Sequence, residues 1–142
     1  MYRNVLVPVD LSDKHSWRKA LPTAISLCET FEAKLHLITV VPDFGLPMVG
    51  QFFPEGYEAK LRQQAARQLK EFAAQQVPGE IECRRIVAEG KIYQEILKAA
   101  DAIKADLIVM GSHRPELADY LLGPNADKVT RHAQCSVMVV RE

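Results

Sequence analysis

No stretch of this 142-residue chain is long and apolar enough to span a bilayer, which takes about 20 consecutive apolar residues. The apolar run near the start, V-L-V-P-V-D at positions 5–10, is also too short for the core of a secretory signal. An excess of charge of one sign is missing too. Eighteen basic residues balance 18 acidic ones for a formal net charge of zero. A broad basic surface is therefore not expected, nor a nucleic-acid partner; the balance leaves room only for a small local basic patch. Cysteine is sparse: Cys28, Cys83 and Cys135 sit in apolar-patterned segments, in no C-x-x-C and at no metal-ligand spacing. An odd count without a framework points to reduced thiols, and we read the chain as a soluble, cytoplasmic protein with no membrane partner. There is no G-x-x-x-x-G-K-[ST] loop, no G-x-G-x-x-G after the first apolar run, no G-x-S-x-G turn and no paired-carboxylate motif. Their absence argues against P-loop ATPase, nicotinamide-dependent hydride transfer and nucleophile-elbow hydrolase chemistry. No catalytic residue is assigned.

What is present is an alternation of two periodicities. Residues 5–9 form a short apolar run stopped by Pro8 and Asp10, which reads as a buried strand. Ser12 is placed to cap a helix, in which Trp17, Leu21, Ala24, Cys28 and Phe31 fall three or four apart. Residues 35–41 read as a second strand. Residues 42–56, with three prolines and three glycines, read as a loop. A helix over 57–76 carries Leu61, Ala65, Leu69 and Phe72 on one stripe and is broken by Pro78-Gly79. The pattern then predicts a strand over 81–88, a helix marked by Ile92, Ile96, Ala99 and Ile103, a strand over 107–110, a helix over 125–133 and a strand over 137–140. Strictly alternating strands and helices, with near-continuous apolar strands, imply a parallel sheet covered on both faces. There is no internal repeat, linker or low-complexity tract, so one domain over 1–142 is expected.

The last third is the most informative segment. An apolar run, D-L-I-V-M, ends at Gly111; a loop S-H-R-P follows; Y-L-L-G then brings Gly123 to the start of an amphipathic segment. Glycine lets a backbone approach a ligand closely, and helix-start amides favour anions. The segment is a candidate phosphate cradle. Ligands of such sheets bind beyond the strand carboxyl ends, where strand order reverses. Asp10, Thr39-Val40 and Gly111 all lie at such ends and can converge on one crevice.

The wording V-L-V-P-V-D-L-S at 5–12, with M-G-S-H-R-P, Y-L-L-G-P-N-A and V-T-R-H-A-Q-C-S-V-M-V-V-R over 110–141, resembles the universal stress protein family across essentially the whole chain. The resemblance implies a three-layer α/β sandwich with five parallel strands and four helices, Rossmann-like or flavodoxin-like and akin to the adenine nucleotide alpha hydrolases. It also implies a homodimer, a role in stress survival and, in one class of members, ATP bound at a G-x-x-G-x9-G-[S/T] loop. In this sequence Gly111 matches the first glycine, Arg114 stands in place of the second, eight residues separate Arg114 from Gly123, and Pro124 replaces the Ser or Thr. The S-H-R-P and Y-L-L-G-x-N-A wording is similar to a short-loop branch that keeps the nucleotide. Pro124 removes a hydroxyl and one backbone N–H from the cradle, while suiting the first turn of a helix.

The site implied by the resemblance comprises Pro8, Val9, Asp10, Val40, Met110, Gly111, His113, Arg114, Gly123, Pro124, Asn125, Ser136 and Val137. Asp10 can accept from an adenine amine or a ribose, or cap the turn after the first strand. Val40 can offer backbone groups to adenine. His113 can donate to a phosphate, and Arg114 can clamp one bidentately. Asn125 can present side-chain and backbone donors, or stabilise the first helical turn. Ser136 can meet a phosphate or ribose, or merely precede the last strand. The expected ligand is ATP, ADP or AMP, with Mg²⁺ only through the phosphates and at most slow hydrolysis. The alternative is a nucleotide-free module that engages a protein partner. The apolar stretch 42–54, with Phe44, Phe52 and Phe53, is a candidate lid or partner surface. Val137, Met138, Val139, Val140 and Arg141 are expected to form the dimer interface, because an apolar edge strand invites pairing.

Overall fold

In the computed structural model, residues 1–41, 56–112 and 123–141 are described. Five strands form one parallel sheet: β1 (Asn4–Pro8), β2 (Lys34–Val41), β3 (Cys83–Glu89), β4 (Leu107–Gly111) and β5 (Ser136–Val140). Four helices lie between them: α1 (Ala20–Phe31), α2 (Tyr57–Gln76), α3 (Ile92–Ile103) and α4 (Pro124–His132). The strand order is β3-β2-β1-β4-β5, and every pairing is parallel. The order therefore reverses between β1 and β4. The expected layers and strand count are present.

Strand alternation divides the core in two. Val5 and Val7 of β1 and Leu35 and Leu37 of β2 pack beneath α1 and α2 with Leu21, Ala24, Leu69 and Phe72. Leu6, Ile38, Ile108 and Met110 face α3 and α4 with Ile96, Ala100, Ala126 and Val129. Burial on both faces is why the central strands read as unbroken apolar runs. Trp17 closes one margin, edge-on to Phe72 with ring centroids 4.9 Å apart. At the amino end of the sheet, the Arg3 and Asn4 amides donate to the Asp106 carboxylate at 2.8 and 3.2 Å, tying β1 to β4.

One helix boundary differs from the sequence expectation. Ser12 does not cap α1. A single 3-10 turn, Lys14–Ser16, intervenes, and Asp13 caps it by accepting from the His15 amide. α1 then starts at Ala20 after Lys19, which makes no side-chain cap bond. Pro22 sits in the first turn of α1, where its missing N–H has no helical carbonyl to reach.

Two polar details within the core carry later consequences. His36 is 3% exposed; its Nε2 lies 3.1 Å from Asn4 Oδ1, and its Nδ1 has no hydrogen-bond partner among the described residues. Burial, reinforced by Arg84 and Lys34 against a weaker opposing effect of Glu82, lowers its pKa. Cys28 lies on the buried face of α1, where burial, with smaller contributions from Cys83 and Glu29, pushes its thiol up to about 11.

Candidate functional site

A cleft of about 490 Å³ opens at the carboxyl ends of β1 and β4, where the strand order reverses. This is the crevice that the topology predicts, and its volume suits a nucleotide-sized ligand. Pro8, Val9, Asp10, Val40, Met110, Gly111, Gly123, Pro124 and Asn125 all border it. These residues come from β1, β2, β4 and the start of α4, and only the fold brings them together.

The β1 side is a knot of short polar contacts. Asp10 Oδ1 accepts from the Ser12 amide at 3.0 Å and from Ser12 Oγ at 2.7 Å. The Asp10 amide donates to Ser16 Oγ at 2.9 Å, and Ser16 Oγ donates to the Asp13 carbonyl at 2.8 Å. Asp10 thus stabilises its own turn, the simpler of its two sequence readings, while remaining exposed at the cleft margin.

The β2 side presents backbone. Val9 N–H donates to Ile38 C=O at 2.8 Å, so Ile38 points its peptide groups toward β1. Gly90 N–H donates to Val41 C=O at 3.2 Å, so Val41 points toward β3. Peptide groups alternate sides along a parallel strand. Val40 therefore directs its N–H and C=O toward the β1 side, at a level past the last β1–β2 partner pair, Pro8 and Ile38. A donor and an acceptor, side by side and facing the cleft, match the acceptor and donor on the edge of a purine base.

The β4–α4 side holds the two glycines, and they differ. Gly123 has φ +92° and precedes Pro124, the first residue of α4. Only glycine adopts that backbone without strain. Gly111 has another reason for its identity. A Cβ there would meet the backbone oxygens of His15 at 2.7 Å and Ser16 at 2.8 Å. The missing side chain makes room for the 3-10 turn, a packing reason for this glycine beside its place on the cleft border.

Ser136 and Val137 are not brought to the cleft. They pair with Leu107 and Ile108, at the opposite end of β4 from Gly111, whose partner is Val140. In a parallel sheet the start of β5 lies at the amino end, away from the crevice. His113, Arg114 and the stretch 42–54 lie outside the described residues. Sequence reasoning missed Ile92 and Ile96, which enter from α3 alongside Ile38, and Ser112, which follows Gly111. Ile92 was legible only as a member of a helical stripe, with nothing to say which end of α3 met the sheet's open end. Among the described residues no cluster of three His, Cys, Asp or Glu side chains is placed to hold a metal ion, and no helix is long and apolar enough to cross a membrane.

A five-stranded parallel sheet, wound on both faces and cleft at its switch point, defines a Rossmann-like α/β protein. Within that class the chain belongs to the universal stress protein family, whose sequence profile matches residues 1–141. It is 29% identical over 143 residues to universal stress protein G of Escherichia coli O157:H7, covering 99% of this chain and all of that protein. It is 32% identical over 146 residues to universal stress protein MJ0531 of Methanocaldococcus jannaschii, covering all of this chain and 84% of that one. Among solved structures, the universal stress protein UspA of Lactobacillus plantarum superposes with a TM-score of 0.74 at 27% identity, covering 99% and 98% of the two chains. A universal stress protein solved in complex with cAMP superposes with a TM-score of 0.62 at 24% identity, covering 99% and 97%.

Proposed function

We propose that this chain binds an adenine nucleotide in the switch-point cleft and acts as a non-catalytic, regulatory stress protein. The observation that carries the reading is the meeting, in one cleft, of the cleft-facing peptide groups of Val40 with the Gly123–Asn125 helix start. The first suits a base edge and the second an anion. The residues fit such a ligand: apolar side chains flank the Val40 side, and the polar groups of Asp10, Ser112 and Asn125 border the remainder. The family relative solved with cAMP supports an adenine nucleotide as the ligand class. Asp10 would accept from the ribose or the base amine, His113 and Arg114 would reach the phosphates, and Mg²⁺ would enter only with those phosphates. The regulatory form is a cytoplasmic homodimer of one-domain chains joined along β5, whose contacts respond to the nucleotide.

Isothermal calorimetry with ATP, ADP and AMP, with and without Mg²⁺, tests the reading. Heat that saturates at one site per chain supports it; no heat with any of the three sinks it. A second reading, a nucleotide-free module for a protein partner, is favoured by Pro124, which stands at the first helical position without an N–H to offer. Mass spectrometry of small molecules released from the natively purified protein separates the two.

A further inference from the structure

Ile92 is one of two large apolar side chains left exposed among the described residues; the other is Met1. Ile92 is 46% exposed although it opens α3, a helix whose Ile96 and Ala100 are buried against the sheet. An isolated apolar residue on a surface needs no explanation, but this one is not isolated. It borders the switch-point cleft together with Ile38, Val40, Ile96 and Met110. It also borders a shallower groove of about 390 Å³ beside it, shared with Val40 and Asn125. Most polar residues of the cleft, Asp10, Ser12, Asp13, His15, Ser16 and Ser112, come from the β1 turn and the end of β4; Thr39 of β2, which is buried, and Asn125 of α4 are the others. The cleft is thus divided. Its α3 side is aliphatic, its β1 side is polar, and the helix start of α4 lies at one margin.

We infer that Ile92 is the residue that covers the face of the base, completing an aliphatic slot whose edge is the cleft-facing backbone of Val40. The inference rests on the nucleotide reading given above and adds to it a position that no sequence motif marks. A flat aromatic ring bound between Ile92 and the already buried floor of Ile38, Ile96 and Met110 removes Ile92 from water, a burial partner that the described residues do not supply. Residues 92 and 40 both adjoin the cleft from the side away from the polar β1 turn, so the base lies there and the phosphates point toward Gly123–Asn125. Ile92 then acts on whatever all adenine nucleotides share. Its contribution is independent of phosphate number and indifferent to Mg²⁺.

The test is calorimetric titration of adenosine, AMP and ATP into wild type, Ile92→Ala and Ile92→Val, with thermal melts of each protein. The exposed site keeps the fold intact, so the melts should coincide. Ile92→Ala should weaken all three ligands by a similar factor, roughly five- to tenfold for the loss of most of a side chain against a ring. Ile92→Val should recover most of that loss. Unchanged affinity for all three ligands in Ile92→Ala overturns the inference while leaving the nucleotide reading intact. A loss confined to ATP also overturns it, because Ile92 would then face phosphate. If wild type binds none of the three, the nucleotide reading falls and the inference with it, and no variant is needed to see that.

Discussion

The Cα of Gly111 packs against the His15 backbone so closely that a Cβ would lie 2.7 Å from the His15 carbonyl oxygen. The contact joins the end of β4 to the turn after β1, and both segments border the cleft. Both neighbouring atoms are backbone oxygens, which cannot rotate away as a side chain would. Gly111→Ala should therefore destabilise the protein by about 1–3 kcal/mol through overpacking. It should also weaken nucleotide binding in the fraction that folds. Urea unfolding checks the first effect; a midpoint equal to wild type would show that the turn yields freely.

Pro124 is the first residue of α4 and carries neither a hydroxyl nor an N–H. Pro124→Ser restores both at the margin of the cleft. ATP should bind more tightly by about 1.5–3 kcal/mol, roughly tenfold or more, as expected for one or two hydrogen bonds to a charged phosphate. AMP, which lacks distal phosphates, should change little. Competition titrations compare the two, and equal gains for AMP and ATP would place Pro124 away from the distal phosphates.

β5 is an outer strand of the sheet, and Val137, Met138, Val139 and Val140 are each only partly buried. The other outer strand, β3, carries exposed Arg84 and Arg85. Charged edges resist pairing and apolar ones invite it. Antiparallel pairing of β5 about a two-fold axis closes on itself. Light scattering at micromolar concentration should give the mass of two chains for wild type and of one chain for Val139→Glu. A one-chain mass for wild type would dismiss this interface.

His36 predicts a particular acid sensitivity. Its folded-state pKa lies below the ordinary value of 6.5, because burial, Arg84 and Lys34 oppose its proton. The unfolded chain therefore binds a proton at pH values where the folded one does not. Stability from this group is fully present above about pH 6.5 and is lost as pH falls through the lower folded pKa. His36→Gln, which keeps a donor for Asn4 Oδ1, should flatten that part of the profile. Thermal melts from pH 7.5 downward test it, and parallel profiles for the two proteins would show that His36 does not titrate differently on folding.

Cys28 should resist alkylation. It is 2% exposed, and its thiol pKa is raised to about 11. Thiolate, not thiol, is the nucleophile. Iodoacetamide at pH 8 should label Cys28 only as the protein unfolds, after Cys83 and Cys135, which are partly exposed. Peptide mass mapping over time checks the order.

Much of this architecture was legible from periodicity. The short apolar runs around Leu37 and Val109 read as buried strands and are β2 and β4, and the spacing of Leu61, Ala65, Leu69 and Phe72 predicted a helix that spans Tyr57–Gln76 as expected. The cleft residues at strand ends, Asp10, Val40 and Gly111, followed from topology. The remainder was hidden for physical reasons. Between Asp13 and Lys19 the only apolar residue, Trp17, continues the spacing of the α1 stripe, so a 3-10 turn could not be told from the start of α1. Ser136 read either as a ligand contact or as the residue before the last strand, and only register decides which end of the sheet it occupies, set by pairing partners far away in sequence. The reason for Gly111 lies with two carbonyl oxygens contributed by another segment, which no local pattern encodes.

The ties from Arg3 and Asn4 to Asp106 have a consequence for the order in which the protein comes into being. β1 sits at the centre of the sheet, but one of its flanks waits for a strand about a hundred residues later. While the ribosome is still extending the chain, β1, β2 and β3 can pair, and the β4-facing side of β1 stays open. Contacts of such long separation close slowly. The cleft, framed by β1 and β4 together, is therefore among the last features to form on a nascent chain. A bound nucleotide would then mark those molecules in which β1 and β4 have already come together.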